Sequence, residues 1–148
     1  MRNTIVLLFI VTFGLAIGPA SGQVDPDYQL TLPRADQLIT AMEAMTKYLV
    51  SLPNYQDRLL KSMKMTPAER LAQIEKDPKA MAILRQNGLT VREYLVGVPT
   101  LRKALMAAQG PANASDFRVS PANLAFAKAN LAQLKPRMDA ADGIRHQN

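Results

Sequence analysis

The chain has no cysteine and no tryptophan, and its 148 residues include a single histidine, His146. Without cysteine there is no disulfide framework, no thiolate nucleophile, no cysteine-based zinc site and no attachment point for c-type haem. His146 has no second histidine to share a metal or relay a proton, which makes it a poor catalytic centre. Also missing are a phosphate-cradling glycine loop, a G-x-S-x-G nucleophile elbow and an H-E-x-x-H helix. These absences remove the commonest hydrolase, nucleotide-binding and metalloenzyme readings, and no cofactor or metal is expected. No segment alternates apolar and polar residues with the period of a strand.

One long apolar run is present, at residues 5–17, preceded by Arg2 and broken by Gly18-Pro19. Ala20-Ser21-Gly22 then supplies small residues where a signal peptidase would cut. The run is too short for a comfortable membrane span, so residues 1–22 read as a secretory signal peptide. The expected organisation is an extended lead-in at 23–32, one helical domain at 33–139 and a fraying tail at 140–148. The expected destination is secreted or periplasmic. Net charge is +6, and removing the leader with Arg2 leaves 17 basic and 12 acidic residues. In an exported protein this balance points to anionic lipid, polymer or an acidic envelope partner rather than to nucleic acid.

The rest of the sequence is dominated by helix-start signals. Thr31 with Pro33, Thr66-Pro67, Asp77-Pro78, Thr90 and Ser120-Pro121 each place a side-chain acceptor at the N-cap, four of them with proline in the first turn. Thr66-x-x-Glu69 and Thr90-x-x-Glu93 add the glutamate of a capping box. Leu89 with Tyr94, and Val119 with Leu124, fit hydrophobic staples. Pro53-Asn54 closes the first helix and offers a cap for the next. Apolar residues recur at helical spacing after each start: Leu38, Met42, Met45, Leu49 and Leu52 in the first helix, and Leu124, Ala127, Leu131, Leu134 and Met138 in the last. The expected fold is all-α, a small bundle of three longer helices and two or three short ones.

The central segment, residues 87–110, carries the one local contradiction. Gly88 ends the preceding helix, Thr90 starts the next, and Val91, Leu95, Val98, Leu101 or Arg102, and Leu105 form its stripe, with Thr100 off it. Gly97 and Pro99 interrupt that stripe. Proline has no N–H for the carbonyl of Leu95, at a cost of roughly 3 kcal/mol in a regular helix, and glycine adds about 1. The sequence therefore predicts a kink or break near Val96–Pro99, with a freed carbonyl that needs a partner. Pro136 is expected to kink or shorten the last helix.

Candidate chemistry follows from this layout. Glu93 and Tyr94 would be a general base and a hydrogen-bond donor if both faced a pocket at the break. Asn123 and Asn130 lie two turns apart on one helix face beside Phe126, a set suited to a polar ligand or to interhelical hydrogen bonds. The expected binding wall thus comprises Glu93, Tyr94, Gly97, Pro99, Asn123, Phe126 and Asn130. Met42-x-x-Met45 and Met63-x-Met65 are thioether pairs of the kind that suit Cu(I), but Met42 and Met45 fall on the apolar stripe, where methionine fills core gaps. Asn113-Ala114-Ser115 matches a glycosylation sequon and reads as loop.

The run Gly88-Leu-Thr-Val-Arg-Glu-Tyr94, with Asn123-Leu-Ala-Phe126-Ala-Lys-Ala-Asn130 downstream, resembles a group of small secreted bacterial proteins of unknown function, over roughly residues 77–138. The resemblance implies a bacterial exported helical domain and carries no activity. Three functional expectations result. The first is a non-catalytic binding module for a small apolar or amphipathic ligand or an envelope protein, with its site near Val96–Pro99 and Phe126. The second is a basic envelope-associated protein using Arg85, Arg92, Arg102 and Lys103 on anionic lipid or polymer. The third is an enzyme built on Glu93 and Tyr94.

Overall fold

A computed structural model describes residues 27–110 and 117–144. The proposed signal peptide, the sequon at Asn113 and His146 lie outside the described residues. Among the described residues six helices form: α1 (Leu32–Val50), α2 (Tyr55–Met63), α3 (Pro67–Glu75), α4 (Pro78–Gln86), α5 (Val91–Ala108) and α6 (Pro121–Gly143). No strand occurs among the described residues, so the all-α bundle of three long and three short helices is what the chain adopts.

The helix starts follow the capping chemistry. The side chains of Thr31, Thr66, Asp77, Thr90 and Ser120 each accept a backbone N–H from the first turn. Both capping boxes are complete. Asn54 is the exception. It precedes α2 in the left-handed region at φ 60° and makes no side-chain cap bond, so it turns the chain rather than capping it. Gly88, at φ 66°, ends α4 as expected.

Long helices α1, α5 and α6 pack on one another, and α5 also meets α3 and α4, which makes it the helix around which the others assemble. Leu38, Met42, Leu101, Leu105 and Leu134 are at most 1% exposed and form the centre of the core. Met42 and Met45 are part of that core. Around it, Arg102 of α5 pairs with Asp142 of α6 at 2.6 Å, and Arg137 of α6 with Asp36 of α1.

Neither proline breaks its helix. Helix α5 is continuous through Gly97 and Pro99, and α6 through Pro136. Both prolines are exposed, so their rings take no part in the packing between helices. Gly97 has the opposite environment. A Cβ at this position would lie 2.7 Å from Leu38 Cδ2 and 2.7 Å from the Tyr28 hydroxyl oxygen. The absence of a side chain is what lets α1 and the lead-in approach α5.

Three more assignments shift. Thr100, expected off the stripe, is 1% exposed, because α5 is packed on several sides; its hydroxyl donates to the Val96 carbonyl at 2.8 Å. On α6 the buried positions are Asn123, Ala127, Leu134, Met138 and Ala141, so Asn123 takes the inward place expected of Leu124. The helix also continues past Ala140, with Ala141 buried, where a frayed tail was expected.

Candidate functional site

The residues singled out by sequence do not converge on one wall. Glu93 is committed at both oxygens. Oε2 accepts from the Thr90 N–H at 2.8 Å and the Thr90 hydroxyl at 2.9 Å, and Oε1 pairs with Arg34 at 3.2 Å. The Thr90 N–H bond is the chief influence holding its pKa below the ordinary value; partial burial opposes it, while the Thr90 hydroxyl and Arg34 reinforce it. A carboxylate so stabilised is a weak base, and this geometry disfavours a general-base role.

Asn123 is an internal clamp. Its Oδ1 accepts from the Leu30 N–H at 2.9 Å and its Nδ2 donates to the Tyr28 carbonyl at 2.8 Å. One side-chain amide thereby pairs two backbone groups of the extended lead-in and secures Leu30 in the core. Asn130 donates back to the Phe126 carbonyl at 2.8 Å, and the Phe126 ring packs against the core. Gly97 is covered by Leu38 and Tyr28, and Pro99 faces outward. Of the seven expected residues, Tyr94 alone lines the apolar cavity of about 240 Å³ under α2.

That cavity, of about 240 Å³, lies on another side of the molecule, under α2. Met45, Thr46 and Leu49 of α1 form one wall. Arg70, Gln73 and Ile74 of α3 form the facing one, continued by Asp77 and Ala80 at the start of α4. Tyr94 and Leu95 of α5 complete it, and Tyr55, Arg58, Leu59 and Ser62 of α2 roof it. The surface is mostly apolar. Sequence periodicity marked Leu49 as a core residue, yet it is 38% exposed because it borders this opening.

The roof is unusual. Helix α2 has no buried residue, and no other helix packs closely along it. Tyr55, Arg58, Leu59 and Ser62 are the cavity-facing side at helical spacing. Its remaining apolar residues point elsewhere: Leu60 is 59% and Met63 is 73% exposed. The methionine pair at 63 and 65 is therefore separate from the buried pair at 42 and 45. No cluster of three or more histidine or carboxylate side chains suited to a metal occurs among the described residues.

At the rim the polar groups are mostly occupied. Asp77 Oδ1 accepts from the N–H groups of Lys79 and Ala80 at 3.0 and 3.1 Å, and Oδ2 accepts from the Tyr48 hydroxyl at 2.8 Å. Burial pushes the Asp77 pKa upward, but these bonds and the nearby Arg58 guanidinium outweigh it and leave it below the ordinary value. Lys79 lies over the Tyr48 ring, 4.9 Å from its centre. Arg70 donates twice to the Met65 carbonyl, at 3.3 and 3.2 Å, and so ties down the connection between α2 and α3.

No protein-family model matches the chain, and neither a curated protein nor a solved structure does. The functional reading consequently rests on the cavity and its rim. Composition and periodicity could not have located it, since its lining combines residues of five helices that each look ordinary alone.

Proposed function

We propose that this chain is an exported, non-catalytic helical module that binds a small apolar or amphipathic ligand beneath α2. The observation that carries this reading is the 240 Å³ cavity, walled by Met45, Leu49, Ile74 and Leu95 and roofed by a helix with no buried residue. An apolar concavity with a few polar groups at its edge is the usual form of a small-ligand site. A roof with little buried surface is the element that opens at least cost. The leader-like residues 1–22 support export to the periplasm or beyond, and the resemblance of the 88–94 and 123–130 motifs supports a bacterial source.

The test uses N-phenyl-1-naphthylamine, a dye that brightens in apolar sites, with native mass spectrometry of the gently purified protein. The dye should bind with one-to-one stoichiometry. Ser62→Trp, which fills the cavity from the roof, should abolish binding without lowering helicity. Undiminished binding by that variant would remove the support for this site.

A second reading, attachment to an anionic lipid surface, is favoured by the exposed Leu60 and Met63 with Lys61 and Lys64 between and beside them. The cluster expected from sequence contributes less, because Arg102 is paired with Asp142. Co-sedimentation with phosphatidylglycerol vesicles should weaken steeply with salt, and binding that ignores salt would exclude an electrostatic contribution.

A further inference from the structure

The charge and volume of the cavity narrow its occupant, provided that the cavity is the ligand site proposed above. We infer that the ligand is a single-chain monocarboxylate with a short alkyl tail, its tail under α2 and its carboxylate on Arg58.

Volume limits the tail. At about 240 Å³ the cavity lies below the roughly 300–1,000 Å³ of pockets that take drug-sized ligands. A space of that size suits one short alkyl chain better than the two tails of a lipid. The walls also ask for an alkyl chain. The hydroxyls of Thr46 and Ser62 are spent on their own helices: Thr46 donates to the Met42 carbonyl at 2.7 Å, and Ser62 to the Leu59 carbonyl at 2.8 Å. A polar tail would find few groups to pair with and would lose its water.

The head group is set by what remains unoccupied at the rim. Asp77 already accepts three hydrogen bonds, and Arg70 is engaged with a backbone carbonyl. Arg58 borders the cavity, and its guanidinium has no hydrogen bond or ion pair within 4 Å among the described residues. It is nevertheless near enough to bear on both Asp77 and Tyr48. A guanidinium offers a planar fork of donors that matches a carboxylate in two parallel bonds. The Asp77 carboxylate beside it favours a monoanion over a doubly charged phosphate monoester.

The experiment is isothermal titration of the purified protein with hexanoate, octanoate, octan-1-ol, octylammonium and octyl phosphate. Octanoate should bind best, with affinity rising about fourfold per methylene from hexanoate. Octan-1-ol should bind at least tenfold more weakly. Arg58→Gln should bring octanoate down to the level of octan-1-ol, and Arg58→Lys should restore only part of the difference. Arg58 is exposed, so an unchanged thermal melt is expected for both variants. Equal binding of octanoate and octan-1-ol, unaffected by Arg58→Gln, would overturn the carboxylate assignment and leave the cavity reading standing. Tighter binding of octyl phosphate or octylammonium would overturn the assignment equally. If no octyl compound binds, both this inference and the binding-module reading fail.

Discussion

Gly97→Ala separates two opposed effects at the centre of the fold. In an isolated helix, replacing glycine by alanine stabilises by about 1 kcal/mol, because the unfolded chain loses conformational freedom. In this fold the new methyl carbon would stand 2.7 and 2.8 Å from the two terminal carbons of Leu38 and 2.7 Å from the Tyr28 oxygen. Carbon atoms in cores rest about 3.5–4.0 Å apart, so a gap of nearly 1 Å must open. Leu38 is 0% exposed and has nowhere to move. Overpacking of this kind costs about 1–3 kcal/mol, which exceeds the propensity gain. The expected net loss is up to about 2 kcal/mol, or a fall in Tm of up to roughly 8 °C for a domain of this size. Urea unfolding followed by far-UV circular dichroism measures it. Gly143→Ala is the reference, since nothing lies within 4 Å of its Cβ, and it should be neutral or stabilising by a few tenths of a kcal/mol. In a Leu38→Ala background the Gly97→Ala penalty should disappear. A Gly97→Ala protein more stable than the parent by about 1 kcal/mol would refute the account of Gly97 as a close-approach residue.

Four further outcomes are expected from the same contacts. Asn123→Ala leaves the Leu30 N–H and the Tyr28 carbonyl without their partner, and should cost about 2–4 kcal/mol in urea unfolding; a loss below 0.5, on the order of a surface change, would show that the clamp is dispensable. Pro99→Ala restores a helix N–H on an exposed face and should stabilise by about 1–2 kcal/mol after the unfolded-state entropy of proline is subtracted; destabilisation would mean that the interruption does something beyond the helix. The Tyr28 hydroxyl is buried without a hydrogen-bond partner among the described residues, and burial, partly offset by Arg34 and joined by Glu93, raises its pKa. Tyr28→Phe should therefore be neutral or stabilising by up to about 1 kcal/mol in thermal melts, and a clear loss would reveal a partner for the hydroxyl. Glu93 has a folded pKa below its ordinary 4.5, so its contribution is full above that value and is lost as pH falls through the lower one. Urea midpoints should drop on acidification below pH 4.5, less so for Glu93→Gln, and parallel curves for the two proteins would contradict the capping role.

The candidate site was legible in the sequence at one position, Tyr94. Glu93 stood out because Thr90-x-x-Glu93 is a recognisable spacing, and that spacing is what consumes its lone pairs. Asn123 stood out as an amide on an apolar face, yet its partners, Leu30 and Tyr28, are 93 and 95 residues away. The cavity went unmarked because helix periodicity identifies an apolar face without saying whether a neighbour covers it. Leu49 and Leu60 score alike with Leu38 in such a pattern, and they end up 38% and 59% exposed against 0%.

The amino-acid sequence alone determined the helices and where they begin. Thr31, Thr66, Asp77, Thr90 and Ser120 each satisfy a backbone N–H two or three residues ahead, an interaction whose range is the first turn and whose partners are near neighbours in the chain. Tertiary packing decided everything that depends on residues far apart. It gave Gly97 its purpose beneath Leu38 and Tyr28, turned Thr100 and Asn123 inward, and left α2 as a roof over an open apolar space. Such features depend on which helix surfaces meet, and a surface acquires a partner only once the whole chain is in place.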